Sequence, residues 1–202
     1  MDAVRVALLR EVLAGTEWLG ATRRFAGMLR GSVVAHGGGL LLVGTPEYEP
    51  WHLAAHLVDE AAWSGTPELA PTLVRHHARP SDPAHLAVGP GRIEEARRGE
   101  TLLVVAPEEP AELLERVHAA RRAGVTVLAL GAGGPELSAM AHDTLAVPEG
   151  AELDLDSVQH LVSAAAGENG GGGGGSPRVR RGFRDRLSRL AEILTAPPAA
   201  PW

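Results

Sequence analysis

The chain has 202 residues, of which 45% are hydrophobic and 3% aromatic, so it can bury one good core but hardly two full domains. It contains no cysteine, and all 19 of its basic residues are arginine, which excludes disulfides, thiolate sites, cysteine nucleophiles and lysine chemistry. With a formal net charge of −6, the chain as a whole does not have the basic charge expected of a nucleic-acid-binding protein.

Apolar periodicity predicts helices and strands in alternation along most of the chain. Helical spacing runs through residues 1 to about 35, with a turn at Gly15-Thr16. Buried strands are predicted at 40–43, 71–74, 101–106, 125–130 and 144–147, and helices at 50–63, 93–98, 109–123, 135–141 and 155–166. This alternation predicts an α/β domain with a doubly wound, parallel, five-stranded sheet behind N-terminal helices. Ligands of such sheets bind at the carboxyl ends of the strands, which here points to the loops after Val43 and Val105.

The C-terminal part has a different composition. Six consecutive glycines at 170–175 predict a flexible linker over 167–177. Residues 178–195 then predict an amphipathic helix with six arginines and two acids, followed by a Pro-rich tail. We therefore expect a domain at 1–166, a linker at 167–177 and a basic helix within 178–202. That helix suits docking on its own domain or a twin subunit, recruitment of an unknown protein partner, or contact with nucleic acid or an anionic membrane surface.

Several segments resemble the sugar-isomerase (SIS) domain family, and phosphoheptose isomerase in particular. Residues 39–58 are similar to its first strand, Gly/Ser-rich loop and H-x-A-x-E-L helix. Residues 101–105, 119–130 and 141–148 are similar to its second half, which has an S-T-S-G-x-S loop and ends in an A-D-x-x-I-x-V-P strand. The likeness spans about residues 15–166. It implies a flavodoxin-like SIS fold, a phosphosugar ligand and a homodimer or homotetramer.

The two loops that surround phosphate in that family differ here. The first is 45–50, about two residues shorter and with two prolines, and the second is 107–110, with no hydroxyl. Four glutamates lie in or beside these loops, where they repel an anion; the ones before the predicted helix 109–123 also suit its positive N-terminus. The predicted ligand-binding residues are Thr45, Glu47, Tyr48, Glu108 and Glu109.

A metal site is a further prediction. Metal-dependent SIS proteins use a histidine and an acid one turn apart on the first helix, with a Gln and a His on the last. His52 matches the first position, but His56 replaces the acid, and Ser157 and Ala165 fall where the Gln and His would be. His52 and His56 share a helix face and could hold zinc, with His160 and Glu60 as supplements.

Two hypotheses about function follow. The first is a non-catalytic SIS-like module, a pseudoenzyme with a regulatory or assembly role that binds a carbohydrate derivative or another small ligand. The alternative is a divergent phosphosugar isomerase, for which the only candidate bases are Glu47, Glu49, Glu109 and His52. We expect no cofactor other than zinc. The lack of an apolar run near 20 residues and of a signal peptide predicts a cytoplasmic protein without a membrane span.

Overall fold

The structure, a computed structural model, describes residues 3–131, 134–147, 151 and 153–168. The strands of these ranges are β1 (Leu40–Val43), β2 (Pro71–Val74), β3 (Thr101–Ala106), β4 (Thr126–Gly131) and β5 (Asp143–Ala146). The α-helices are α1 (Ala3–Val12), α2 (Glu17–His36), α3 (Trp51–Ser64), α4 (Gly91–Glu94), α5 (Ala111–Arg122), α6 (Pro135–Met140) and α7 (Leu155–Gly167).

The five strands form one parallel sheet in the order β2-β1-β3-β4-β5. In this order the winding reverses between β1 and β3. The carboxyl ends of those two strands therefore flank the crevice in which doubly wound proteins bind ligands.

Successive side chains of the strands point to opposite faces, and both faces are buried. Leu40 and Leu42 of β1 contribute to one core, and Leu41 and Val43 to the other. Helices α2, α3 and α7 cover the first core, and α4, α5 and α6 cover the second. Burial on both faces explains why the strands have continuous apolar sequences instead of alternating ones. The predicted α/β fold with a doubly wound, parallel, five-stranded sheet is confirmed.

Most predicted elements lie within two residues of the observed ones, and the helix expected at 93–98 is the exception. The observed helix α4 begins at Gly91 and ends at Glu94. After it, the Glu100 carboxylate accepts a hydrogen bond from the Arg97 N–H at 2.7 Å, and Gly99 has a φ of 96°. This turn directs the chain into β3, so the helix cannot extend further.

The predicted Gly-rich linker and basic helix lie outside the described residues, apart from Gly167 and Glu168. Among the described helices, none is both long enough and apolar enough to cross a membrane.

Candidate functional site

The first loop, between β1 and α3, is closed by its own hydrogen bonds. The Thr45 N–H donates to the Tyr48 carbonyl at 2.9 Å, and the Tyr48 N–H donates back to the Thr45 carbonyl at 3.2 Å and to its Oγ1 at 3.1 Å. A Cβ at Gly44 would overlap the Tyr48 carbonyl oxygen, so the turn folds directly over the end of β1. The buried Thr45 hydroxyl, one of the predicted ligand-binding groups, thus binds the loop itself.

Glu49 of the first loop is held by three donors. Its carboxylate accepts hydrogen bonds from Arg75 Nε at 3.2 Å, Trp51 Nε1 at 3.0 Å and the His77 N–H at 3.4 Å. Burial would raise the pKa of Glu49, but the bonds from Arg75, His77 and Trp51 outweigh it and hold the pKa below its usual value. Glu49 is therefore an ionised carboxylate in an ion pair with Arg75, which makes it a poor general base. Glu47 is exposed.

Tyr48 connects the first loop to the N-terminal end of α7. Its hydroxyl donates to Asp156 Oδ1 at 3.0 Å and accepts from Gln159 Nε2 at 2.7 Å. Burial, the largest cause, raises the pKa of Tyr48 to about 12, so the phenol stays protonated. Asp154 accepts the Ser157 N–H at 2.7 Å and caps α7.

In the second loop, between β3 and α5, the Glu109 carboxylate binds a different helix from the one expected. Glu109 does not cap α5. Its Oε1 accepts the Leu137 N–H at 2.8 Å and its Oε2 accepts the Glu136 N–H at 3.4 Å, both in the first turn of α6. A Cβ at Gly134 would overlap this carboxylate. Glu108 is exposed.

Three histidines meet between α3 and α7, beside the first loop. The ring centroids of His52 and His56 are 4.5 Å apart, those of His52 and His160 4.7 Å, and those of His56 and His160 4.5 Å. One ring nitrogen from each lies within 4.8 Å of those of the other two. His52 is exposed, whereas His56 and His160 are buried, so the group faces solvent on one side only.

His56 is the unusual member of the cluster. It is 7% exposed, and neither of its ring nitrogens has a hydrogen-bond partner among the described residues. Burial, followed by the neighbouring His160 and His52, lowers the pKa of His56 to about 4, so the imidazole is neutral at pH 7. A neutral imidazole with an available nitrogen is the form that binds metal.

The third member of the cluster is His160, one of the two supplements named from the sequence. Family spacing pointed to positions 157 and 165 on the last helix, but His160 is the residue that packs against His52 and His56. Glu60, the other supplement, is 1% exposed and lies against Gly167, and it is not a member of the three-histidine group. Sequence spacing named His160 and Glu60 without choosing between them, because the register of α7 against α3 is set by tertiary packing.

Comparisons with known proteins show the fold and no closer relationship. No protein-family model matches the sequence. No curated protein matches it. A crystal structure from Silicibacter pomeroyi, assigned as a phosphosugar isomerase, matches with a TM-score of 0.50 and 17% identity over 96% of this chain and 54% of that chain. Vibrio vulnificus NanR in complex with ManNAc-6P matches with a TM-score of 0.49 and 13% identity, over 87% and 62%.

A third match is the sugar isomerase domain of an RpiR transcription factor from Sphaerobacter thermophilus, with a TM-score of 0.47 and 14% identity over 90% of this chain and 98% of that one. The chain thus spans less than two thirds of the length of the first two structures. The structural neighbours are SIS-domain proteins, and the SIS-type fold implied by the resemblance is confirmed. The likeness to phosphoheptose isomerase in particular stays a prediction.

Proposed function

We propose that this chain is a non-catalytic SIS-type module with a regulatory or assembly role. The observation that carries the proposal is that the chain's own carboxylates take the donors around both ligand loops. Glu49 accepts a hydrogen bond from Arg75, and Glu109 accepts hydrogen bonds from two N–H groups of α6. A sugar phosphate needs such donors, and here it would have to displace a covalently tethered carboxylate to reach them.

Electrostatics support the same proposal. A phosphate about 4 Å from one of these carboxylates would be repelled by on the order of 4 kcal/mol at an effective dielectric near 20. The positive N-terminus of a helix would stabilise the phosphate by only about 0.3–1 kcal/mol. Among the predicted bases, Glu49 has a lowered pKa and Glu109 is hydrogen-bonded to backbone N–H groups. The ligand class that fits is a carbohydrate derivative without a phosphate, or another small molecule that is not anionic. Of the predicted contacts Thr45, Glu47, Tyr48, Glu108 and Glu109, the exposed ones are Glu47 and Glu108, whereas Thr45 and Glu109 already bond within the chain.

Thermal-shift measurements test this proposal against the alternative, a divergent phosphosugar isomerase. We expect millimolar fructose 6-phosphate and sedoheptulose 7-phosphate to leave the melting temperature unchanged, like fructose, the unphosphorylated control. A rise of several degrees with either phosphate but not with fructose would overturn the pseudoenzyme proposal. An aldose–ketose isomerase assay on the same preparation should then show turnover.

A second candidate function is divalent metal binding, and the three-histidine cluster is the observation that favours it. Zinc accepts three imidazoles at about 2.0–2.1 Å and keeps a fourth position for water or a ligand. The described nitrogens, within 4.8 Å of one another, would have to approach by roughly 1–1.5 Å to surround one ion tetrahedrally. An unpartnered nitrogen of His56 supplies the reason for that approach, because coordination gives it the partner that it lacks.

Metal titration tests the second candidate. We expect one Zn²⁺ or Co²⁺ per chain by elemental analysis after gel filtration, with tetrahedral Co²⁺ absorption bands. His160→Ala should abolish binding, whereas His118→Ala, an exposed histidine on α5, should not. Equal binding by wild type and His160→Ala would show that the cluster is not the site.

We also propose that the chain is a homodimer or homotetramer. Exposed apolar side chains of α1 and α2 support this: Leu8, Val12, Met28 and Val34 are 46–77% exposed. A monomer in size-exclusion chromatography with light scattering would contradict it.

A further inference from the structure

The solvent side of α3 is mainly apolar, with exposed His52 and half-buried Asp59 as its polar positions. Leu53 and Leu57 point into the core, while the exposed positions are Trp51, His52, Ala55, Val58, Ala62 and Trp63. We name five of these the α3 outer face: Trp51, Ala55, Val58, Ala62 and Trp63. Three of them are large and half exposed: Trp51 42%, Val58 49% and Trp63 50%. A surface helix normally carries charge on this side, as α5 does with Glu112, Glu115 and Arg121.

The chain leaves the described fold close to one end of this face. A Cβ at Gly167, the last residue of α7, would overlap the Glu60 carboxylate, and Glu60 is one helical turn from Trp63 on α3. Arg30 Nη1 fixes this end by donating to the Ala166 carbonyl at 2.9 Å. The segment beyond residue 168 therefore starts beside the C-terminal end of α3, on the buried side where Glu60 lies, and passes around that end to reach the α3 outer face.

The length of that segment suits the face. A Gly-rich stretch of the size of 168–177 spans on average about 16–19 Å, so residue 178 can reach any part of the C-terminal half of α3. The apolar positions beyond it follow helical spacing and cover about 22 Å in a helix, close to the roughly 21 Å length of α3. They are Val179, Phe183, Leu187, Leu190 and Leu194.

Charge and tethering favour the chain's own tail over other occupants of the face. Residues 178–195 hold six arginines and two acids, in a chain whose net charge is −6, so the remainder is strongly acidic. Glu168, where the tail begins, is already paired with Arg10 at 2.6 Å, so the charge that favours the basic tail is that of the acidic remainder of the chain as a whole. A short flexible linker gives a tethered segment a local concentration on the order of millimolar, far above that of a second copy at micromolar protein.

We propose that residues 178–195 dock as an amphipathic helix on the α3 outer face of their own chain. The segment runs antiparallel to α3, because it enters at the Trp63 end and proceeds toward Trp51. Its apolar side chains cover the two tryptophans, and its arginines face solvent and the acidic domain. The proposal does not rest on what the ligand loops bind, although Trp51 at the far end of the face donates to Glu49 of the first loop.

The absence of cysteine from the chain permits a clean cross-linking test. Val58→Cys combined with Leu187→Cys places thiols at the middle of the face and the middle of the apolar stripe. We expect rapid oxidation to a disulfide that migrates at the monomer mass. The control pair is Ala119→Cys with Leu187→Cys, since Ala119 is exposed on α5, on the opposite side of the sheet. It should oxidise at least tenfold more slowly. Equal rates for the two pairs, or a disulfide at the dimer mass, would overturn the proposal.

Tryptic cleavage of the Arg-rich segment is a second, independent measurement. Val58→Asp changes a half-exposed side chain, so the fold should persist by circular dichroism, but it puts charge in the middle of the face. We expect cleavage within 178–195 to be at least tenfold faster in this variant and unchanged in the control Ala119→Asp. If wild type and Val58→Asp are cleaved equally fast, and the wild type retains duplex DNA through the tail at moderate salt, the tail is a nucleic-acid arm and docking is wrong.

Discussion

His56→Leu is the substitution whose effect the structure determines most sharply. The imidazole is 7% exposed, and both of its ring nitrogens lack a hydrogen-bond partner among the described residues. A buried polar group without a partner costs about 1–3 kcal/mol, and leucine fills a similar volume without that cost. In EDTA at pH 7.5 we therefore expect His56→Leu to raise the free energy of unfolding by about 1–3 kcal/mol.

The pH dependence of this difference follows from the pKa of His56. The pKa is about 4 in the folded chain and 6.5 as the unperturbed value, so the folded state binds fewer protons than the unfolded state between those pH values. Stability therefore falls as the pH is lowered from about 6.5 towards 4. From pH 7 to pH 5 the wild type should lose on the order of 2 kcal/mol that His56→Leu does not lose.

Urea unfolding followed by circular dichroism at pH 7.5 and pH 5, with EDTA, measures both effects. His118→Leu, on the exposed side of α5, is the matched control and should stay within about 0.5 kcal/mol of wild type. With Zn²⁺ in place of EDTA, the order should invert, because only the wild type can bind the ion through the complete cluster. The reasoning is refuted if His56→Leu is the less stable chain in EDTA, or if its advantage does not grow between pH 7.5 and pH 5.

Three further predictions concern the first loop. Tyr48→Phe loses both hydrogen bonds of the hydroxyl and should lower the free energy of unfolding by about 1–2 kcal/mol in urea, with the far-ultraviolet spectrum unchanged. Arg75→Gln removes the cation beside Glu49, so the pKa of Glu49 should rise in a carboxyl-carbon NMR titration; an unchanged pKa would mean that the ion pair is absent in solution. Gly44→Ala should lower the melting temperature by several degrees, because the new Cβ overlaps backbone, whereas Gly27→Ala, with open space around it, should leave it unchanged or raise it.

The fold was predictable because its signals are local. Each strand has an uninterrupted apolar run, and turns such as Gly124, with a φ of 88°, mark the helix ends where sequence rules place them. The exception is α4, after which Glu100, directly before β3, closes a turn by accepting the Arg97 N–H. The spacing of apolar residues gives no sign of such a turn.

The site was predictable only in part, because its contacts join residues that are distant in sequence. The pair His52 and His56 was visible from i, i+4 spacing, but the third histidine depends on how α7 is placed against α3. Likewise, the acids of the loops were recognised as unfavourable to phosphate. That Glu109 binds the first turn of α6 instead of its own helix could not be foreseen, since Glu109 and Leu137 are 28 positions apart in the sequence.

Together these contacts explain how the scaffold stays intact without a phosphosugar. In a ligand-binding protein, loop donors are left for the ligand, and the empty site carries their unsatisfied polar groups at a cost of stability. Here Glu49, Tyr48 and Glu109 accept hydrogen bonds from Arg75 directly after β2, from Gln159 of α7 and from the first turn of α6, so each loop is joined to an element that is distant in sequence. Beside the exposed apolar side chains of α1 and α2, two features of the described residues matter here: the His56 nitrogens, which are among the buried polar atoms without a partner, and the exposed α3 outer face. Both lie on α3, so a bound ion and a docked tail would act on the same helix. Metal binding should therefore change the rate of tail cleavage in the wild type and leave it unchanged in His160→Ala.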